Sequence, residues 1–319
     1  MTGTGCGDNA GPPAAICGVV VTYHPEETVG ENLRAMVREC GRVVVVDNGS
    51  PEETGRRMAS VPGVELLPLG TNLGVATALN RGAARALEQG CTWIVTFDQD
   101  SRPQPGMVAA LWATHGTLPR AAVIGPRIQE AGSQAARYRW VRPRPHWPGL
   151  FQRIPCAGRD LEEVTMLVTS GSMVELALWR ELGGFDEALF IDYIDTDYCL
   201  RAIRAGRSVA VSAGAVLEHR LGDRKSRQLL GREFRPTHHA AFRHYTIARN
   251  RVRVWRRHAL AAPHWALFDL CFAGFNTFRV LVFEPAKFPK LKAMLLGTWD
   301  GLWGRSGPCP ARRRAGLES

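Results

Sequence analysis

The sequence predicts an α/β fold with a mostly parallel central sheet and a helical C-terminal extension. Apolar, β-branched runs alternate with helical patterns over the first hundred residues, and each of the best-defined runs ends abruptly in polar residues. Runs that are apolar on both faces are typical of a parallel sheet covered by helices on both sides. The 319 residues are 45% hydrophobic and 22% charged, which excludes a disordered or fibrous chain.

Four strands and two helices account for the N-terminal half. The strands are predicted over 15–21, 42–46, 64–67 and 92–97, and the helices over 26–39 and 74–89. The Gly- and Pro-rich residues 1–13 are expected to be disordered. We divide the rest into an α/β domain over 14–235 and a basic, mostly helical extension over 236–319.

The middle of the chain is less regular. Residues 127–160 interleave Arg and Pro without a period, which indicates a long loop. Regular patterns resume at 164–168, followed by a helix over 174–182, a helix that ends at Ala205 and short strands over 208–211 and 215–217.

Cysteine usage and the N-terminus exclude several classes. The eight cysteines include no CxxC pair, so neither a zinc ribbon nor a thioredoxin-type site is expected. The first residues lack a basic segment followed by an apolar one, which argues against a signal peptide. We therefore expect a cytoplasmic protein with reduced thiols.

The net charge of +10 is unevenly distributed. Residues 1–200 carry 17 Lys and Arg against 23 Asp and Glu, whereas residues 201–319 carry 23 against 7. The C-terminal part is therefore expected to face an anionic partner: a nucleic acid, a membrane surface or a phosphorylated substrate.

Polar side chains follow the first, second and fourth predicted strands, where ligands bind in such sheets. They are Thr22, Asp47 and the pair Asp98 and Asp100. Asp47 is a candidate acceptor for the imide N–H of a pyrimidine base, although an Asx turn explains it too. The D-x-D tripeptide is common, but at a strand end it favours a divalent cation shared with a diphosphate.

A second acidic cluster precedes the helix that ends at Ala205. Asp192, Asp195 and Asp197 are candidates for a general base acting on an acceptor hydroxyl, while first-turn helix charges are the simpler explanation for at least one of them. His219 is a candidate metal ligand or diphosphate contact, although a single His is more often structural. Neither GxGxxG after the first strand nor GxxxxGK[ST] is present, which argues against a Rossmann dinucleotide site and a P-loop.

Seven segments in this order resemble glycosyltransferase family 2, and within it the bacterial rhamnosyltransferases. They are TYHP, VVVVDNGS, NLGVATALNRG, WIVTFDQDS, TSGSMV, LGGFDEALFIDYIDTDYCLR and VLEHRLGD, within residues 14–255. The resemblance implies a GT-A fold and an inverting, metal-dependent transfer from a nucleotide-activated sugar.

The resemblance also implies a role for each matched residue. Thr22, Tyr23, Asp47, Asn72, Asn80 and Asp98 would bind the nucleotide-sugar, Asp100 and His219 the metal (Mg or Mn), and Ser170, Gly171 and Ser172 the acceptor. Asp195 matches the second residue of the family's Glu-Asp motif, the catalytic base. Ile194 stands where the Glu is usual, so Asp192 is a second candidate for that role.

The implied reaction transfers L-rhamnose from dTDP-L-rhamnose to a glycan or lipid-linked acceptor in cell-surface polysaccharide synthesis. Galactofuranose, glucose and N-acetylglucosamine remain alternative sugars. A sugar-nucleotide pyrophosphorylase is disfavoured because TYHPEE is not a Gly-rich basic loop. A nucleic-acid-binding protein is disfavoured because the N-terminal site is acidic.

An aromatic stripe in the extension suggests where the protein works. Trp265, Phe268, Phe272 and Phe275 recur on one face of a predicted helix, which Asp269 and Arg279 make too polar to be expected to span a membrane. The basic surplus and this face predict peripheral association with the inner face of the cell membrane. Packing against the catalytic domain or a second subunit explains the stripe equally well, so a homo-oligomer is left open.

Overall fold

The computed structural model describes residues 15–130, 138–219, 227–229, 232–234 and 240–318. The stretch 1–13, expected to be disordered, lies outside the described residues. Strands within the described part are β1 (Ile16–Thr22), β2 (Val43–Asp47), β3 (Val64–Pro68), β4 (Trp93–Asp98), β5 (Ser101–Pro103), β6 (Ala121–Glu130), β7 (Arg139–Arg144), β8 (Trp147–Pro155), β9 (Met173–Glu175), β10 (Ser208–His219), β11 (Arg227–Leu229) and β12 (Arg232–Phe234).

Eight strands form one sheet in the order β3-β2-β1-β4-β9-β6-β10-β5. β1 pairs in parallel with β2 and β4, β2 with β3, and β6 with β10. The short β9 is antiparallel to β4 and β6, and β5 is antiparallel to β10. The predicted mostly parallel sheet is confirmed, and the carboxyl ends of β1, β2 and β4 lie side by side.

Helices cover both faces of this sheet and build the C-terminal part. They are α1 (Val29–Cys40), α2 (Glu52–Ala59), α3 (Val75–Glu88), α4 (Met107–Thr117), α5 (Leu176–Glu181), α6 (Ile194–Arg204), α7 (Ala241–His258), α8 (Pro263–Phe283), α9 (Lys287–Leu302) and α10 (Ala311–Glu318), with a 3₁₀ turn at Glu187–Leu189. One core lies between the sheet and α1, α2 and α4, and a second between the sheet and α3, α5 and α6.

The structure corrects three local predictions. The expected loop 127–160 contains the end of β6 and the β7–β8 hairpin, in which Trp140 and Val141 are buried. The hairpin packs on α8, more than a hundred residues later, and no local pattern reports such a contact. The two strands over 208–211 and 215–217 are one strand with an irregularity after Val211. Residues 174–182, predicted as one helix, are divided between β9 and α5.

The extension is helical in its described part from α7 onwards, as predicted. Gly297 and Gly301 of α9 lie directly against the backbone of α7 at Tyr245 and Arg249, where a Cβ atom would clash. By length and composition alone α8 could cross a membrane, although such a helix is weak evidence of a span. The expectation that it does not span a membrane stays a prediction.

Candidate active site

The carboxyl ends of β1, β2 and β4 bring the first group of predicted residues together. The parallel ladders place Thr22 beside Asp47, and Val21 beside Asp98. Thr22 Oγ1 donates a 2.9 Å hydrogen bond to Asp47 Oδ1. Sequence reasoning therefore placed these three side chains at one edge of the sheet correctly.

Asp47 is buried and shapes its own turn. Its Oδ2 accepts a 2.9 Å hydrogen bond from the Ser50 amide, and its Oδ1 accepts one from the Ser50 hydroxyl. The donor amide lies three residues after Asp47, so this is a local turn contact related to the two-residue Asx turn considered from the sequence. Recognition of a base by Asp47 stays a prediction.

The D-x-D segment is fixed from both sides. The Tyr23 amide donates to Gln99 Oε1 at 2.8 Å, and Asn32 Nδ2 donates to the Gln99 carbonyl at 3.0 Å. The Asp98 amide donates to Ser170 Oγ at 3.1 Å. Asp100, at the end of this segment, is exposed to solvent.

The predicted acceptor residues lie directly behind this segment. Ser170 and Ser172 are buried, and their hydroxyls contact Ser101 Oγ at 2.6 Å and the Val168 carbonyl at 2.6 Å. Gly171 takes a left-handed conformation, and its amide donates to the Thr96 carbonyl. These contacts stabilise the end of β4, and an acceptor contact stays a prediction.

Asn72 and Asn80 have different surroundings. Asn72 Oδ1 accepts hydrogen bonds from Asn48 Nδ2 and the Gly74 amide, which fixes the loop beside Asp47. The Asn80 amide is instead engaged with Trp179, Phe185 and Glu187. Asn80 therefore holds the turn before the second acidic cluster, and its contact with a nucleotide stays a prediction.

Gly74 joins the two halves of the site. It has a φ of 92°, and a Cβ there would lie 2.8 Å from the Phe190 carbonyl oxygen. The Val75 amide donates to that same carbonyl at 2.7 Å. Only glycine allows this approach of the loop before α3 to the segment that carries the second acidic cluster.

That segment has an unusual backbone. Phe190, Asp192 and Tyr193 have φ angles of 63°, 65° and 66°, in the left-handed region that side chains disfavour. Such conformations persist only where the surroundings impose them, and they concentrate at functional sites. Here the buried Asn250 of α7 donates from Nδ2 to the carbonyls of Leu189, Ile191 and Asp192 at 2.7–3.1 Å.

Asp195 is the titrating group of the cluster. Burial raises the pKa of its carboxyl to about 6, and the negative charges of Asp192 and Asp98 act in the same direction. The hydrogen bond from the Thr196 amide at 2.7 Å lowers that pKa only in part. A carboxylate with this pKa is suited to accept a proton near neutral pH.

Asp192 and Asp197 are instead ion-paired. Arg243 Nη2 contacts Asp192 Oδ1 at 3.0 Å. Asp197 is buried and contacts Arg201, Arg257 and His258 at 2.7–2.9 Å. Burial alone would raise the pKa of Asp197, but the His258 hydrogen bond and the two guanidinium groups outweigh it and lower that pKa to about 2.

Helix α7 uses part of the basic surplus inside the protein. Besides Arg243 and Arg257, Arg253 pairs with Asp186 at 2.9 Å, and Arg251 pairs with Asp269 of α8 at 3.0 Å. Sequence reasoning missed these contacts and Asn250. The signal was present as a polar face at helical spacing over Arg243, Asn250, Arg253 and Arg257.

A cavity of about 1180 Å³ opens beside Asp195. The β7–β8 hairpin, α7, α8 and α9 line it, as do Asp195 and its neighbours Asp192 and Tyr138. Burial and the Asp195 charge raise the pKa of Tyr138 to about 12. The residues of the predicted aromatic stripe differ in their exposure: the Trp265 side chain is 1% exposed, whereas that of Phe272 is 48% exposed.

No three His, Cys, Asp or Glu side chains among the described residues form a cluster that would hold a metal ion alone. At and just after the carboxyl end of β4, Asp98 and the exposed Asp100 offer carboxylate oxygens, which are the ligand type that Mg²⁺ and Mn²⁺ prefer. The backbone of His219 pairs with Ser101, but its side chain lies outside the described residues.

Comparisons with known proteins agree with this arrangement. Residues 18–177 match the model of glycosyl transferase family 2. The chain is 30% identical over 297 residues to the dTDP-rhamnosyl transferase RfbF of Shigella flexneri, covering 92% of this chain and 97% of that protein. It is 29% identical to the N-acetylglucosaminyl-diphospho-decaprenol L-rhamnosyltransferase of Mycobacterium tuberculosis, over 78% of this chain and 88% of that one.

Two solved structures share the fold. GalNAc-T7 with UDP, GalNAc and Mn²⁺ aligns with a TM-score of 0.56 at 14% identity, over 76% of this chain and 47% of that chain. Residues 1–349 of TarS from S. aureus align with a TM-score of 0.55 at 13% identity, over 90% and 80%. The chain therefore belongs to glycosyltransferase family 2 and has its GT-A fold.

Proposed function

We propose that this enzyme transfers L-rhamnose from dTDP-L-rhamnose to a hydroxyl of a lipid-linked or glycan acceptor in cell-surface polysaccharide synthesis. One observation carries the mechanism: Asp195, whose pKa is raised to about 6, lies near Asp98 at the end of β4 and lines an open cavity. The choice of sugar is supported by the names of the two relatives, one of which uses a decaprenol-linked acceptor by its name.

The proposed reaction is a single displacement. The acceptor hydroxyl gives its proton to Asp195 while its oxygen forms a bond to the anomeric carbon of the donor. The bond between that carbon and the diphosphate oxygen breaks, and the nucleoside diphosphate leaves with the electron pair. Attack from the side opposite the leaving group inverts the anomeric configuration.

Asp192 is the weaker candidate for the base, because Arg243 compensates its charge. We assign it the role of holding α7 against the left-handed segment. Of the two aspartates that line the cavity, Asp195 is then the one that accepts the proton of the acceptor hydroxyl.

We propose that Asp100 binds Mg²⁺ or Mn²⁺ together with the donor diphosphate, that His219 is a further metal ligand, and that Asp98 contacts the nucleotide-sugar. A divalent ion there would neutralise the charge on the leaving diphosphate. EDTA should then abolish turnover, and Asp100→Asn should largely do so. Full activity in EDTA would contradict the metal assignment, while an impaired but metal-independent Asp100→Asn variant would reduce Asp100 to a charge role.

The donor is tested by incubating the protein with Mg²⁺ and a panel of nucleotide-sugars and measuring nucleoside diphosphate release. dTDP-L-rhamnose is expected to give the fastest release in the presence of an acceptor. Faster release from a galactofuranose, glucose or N-acetylglucosamine donor would replace rhamnose and leave the transferase assignment intact. Asp195→Asn should bind the donor and release no nucleoside diphosphate above background.

We also propose that the enzyme works at the inner face of the cell membrane. Exposed apolar side chains on α8 and α9 and the basic surplus support this location. Co-sedimentation with anionic vesicles is expected at low salt and should weaken at high salt. Deleting residues 260–319 should reduce it further, and a lack of binding at low salt would contradict the proposal.

A further inference from the structure

The cavity beside Asp195 is lined by both charged and apolar side chains. Its lining includes Asp192, Asp195 and Tyr138. It also includes aromatic side chains of the hairpin and α8, where Phe151 contacts Phe268 and Phe268 stacks on Phe272. One continuous space therefore joins the proposed catalytic base to a hydrophobic compartment.

Part of the apolar lining of this cavity is exposed at the surface. Phe272 and Phe275 of α8 are 48% and 47% exposed, and Leu295 of α9 is 73% exposed. Only 17% of the most apolar stretch of α8 is buried in the protein. Contiguous exposed apolar surface of this kind marks an interaction site.

Basic side chains also line the cavity. Arg139 and Arg153 of the hairpin line the cavity and are exposed. Arg153 lies close enough to Tyr138 for its positive charge to oppose, in part, the rise in the pKa of that phenol. Arg251 and Arg279 also line the cavity, but they face Asp269 and Glu284. The hairpin arginines are therefore the cations best placed for a diphosphate, which guanidinium groups bind through paired hydrogen bonds.

We propose that this cavity binds the lipid part of a glycosyl diphospho-lipid acceptor. The acceptor sugar would lie at Asp195, its diphosphate against Arg139 and Arg153, and its long apolar chain along Phe268 and Phe272. This assignment rests on the proposed function and adds a place for each part of the acceptor. It also explains why the exposed aromatic face of α8 leads into the catalytic cavity.

The first test varies the lipid of a synthetic acceptor. N-acetylglucosaminyl diphosphate esters carrying one, five, ten and twenty carbons are compared with dTDP-L-rhamnose as donor. We expect kcat/KM for the acceptor to rise at least about tenfold from one to ten carbons, because each buried methylene favours binding. The KM for the donor should not change.

Equal kcat/KM values for all four chain lengths would overturn the cavity assignment while leaving the transferase function in place. Absence of transfer to any of them, with the donor still hydrolysed, would place the acceptor sugar in doubt and move the test to direct binding. There the probe is a twenty-carbon prenyl diphosphate with a photo-crosslinker at its far end. Labelling within residues 263–302 supports the proposal, and labelling elsewhere overturns it.

Matched variants separate this site from general surface hydrophobicity. Phe272→Ser should remove most of the dependence on chain length, and Leu295→Ser should weaken it. Leu260→Ser is the control, because Leu260 is fully exposed and does not line the cavity. An equal effect of all three variants on the chain-length dependence of kcat/KM would contradict the proposal. A stable dimer, detected by light scattering, that prevents labelling would also contradict it.

Discussion

The two sides of the first turn of α6 differ sharply, although Asp195 and Asp197 are only two residues apart. On the cavity side, Asp195 has like charges as neighbours, and its pKa is raised to about 6. On the side facing α7, Asp197 is surrounded by Arg201, Arg257 and His258, and its pKa is lowered to about 2. The surroundings thus move the pKa of one residue type in opposite directions, which suits Asp195 to the proposed proton transfer and Asp197 to anchoring the helix.

The largest expected effect concerns the cavity side. Asp195→Asn keeps the shape of the side chain and removes its basicity, so transfer should fall roughly 10²–10⁴-fold, the usual scale for a general base. Binding of the nucleotide at the donor site, measured by calorimetry with dTDP, should persist. If Asp195→Asn transfers normally and Asp192→Asn does not, the base is Asp192.

Asp197→Asn tests the other side. The substitution leaves two arginines and His258 facing a neutral amide, and breaking a buried ion pair in this way costs about 3–5 kcal/mol. Chemical denaturation should report this loss in the free energy of unfolding. Glu53→Gln, at an exposed position on α2, serves as the control. A stability equal to that of the wild type would remove the anchoring role.

Asn250→Ala removes three hydrogen bonds to the left-handed segment. We expect a loss of about 1–3 kcal/mol in stability, since each buried carbonyl loses its donor. The kcat for transfer should fall as well, because the segment orients Asp195. Arg256→Ala, an exposed change on the same helix, should leave both quantities unchanged. A normal kcat in Asn250→Ala would show that Asp195 is oriented without it.

The smallest effects are those of pH. Below about pH 6 the protonated Asp195 cannot act as a base, so kcat/KM should fall about tenfold per pH unit. In the unfolded chain Asp has a pKa of about 3.9, so between pH 4 and 6 only the folded state retains this proton. The Asp195 contribution to stability is therefore lost as the pH rises through this window.

The Asp197 contribution has the opposite sign. Its folded pKa lies below the unfolded value, so the stability it provides is present above about pH 4 and is lost as the pH falls towards 2. Thermal unfolding of Asp195→Asn and Asp197→Asn between pH 3 and 8 separates the two. Parallel stability curves for wild type and both variants would contradict both assignments.

The strand-end residues were predictable because their positions follow from local pattern. A parallel sheet aligns the carboxyl ends of its strands, so Thr22, Asp47 and Asp98 had to meet once β1, β2 and β4 were recognised. The mixed sheet order was less accessible, since β9 is only three residues long. Helix α4 was missed because its apolar residues do not alternate with polar ones in a clear helical period.

The β7–β8 hairpin and the ion pairs of Asp192 and Asp197 were not predictable in the same way. The hairpin turns at residues 145–146, which are Pro-His rather than the Asn-Gly, Asp-Gly or Gly-Gly pairs that mark two-residue hairpins, and it depends on contacts with α8. Arg243 lies 51 residues from Asp192, and Arg257 lies 60 residues from Asp197, whose other partner Arg201 is only four residues away. The distant pairings follow from tertiary packing, so the residues alone gave three candidate aspartates, and the resemblance to the family favoured Asp195 as the base.

The hydrogen bonds from Asn250 to the left-handed segment have a consequence for engineering. A chimera that joins the N-terminal half of this chain to the acceptor-binding part of a relative would separate Asn250 from its three carbonyls if the junction preceded α7. A junction after His258 keeps α7 with the segment it supports and exchanges only α8 to α10. The helix that follows the sheet in sequence is thus, for modular exchange, part of the catalytic unit.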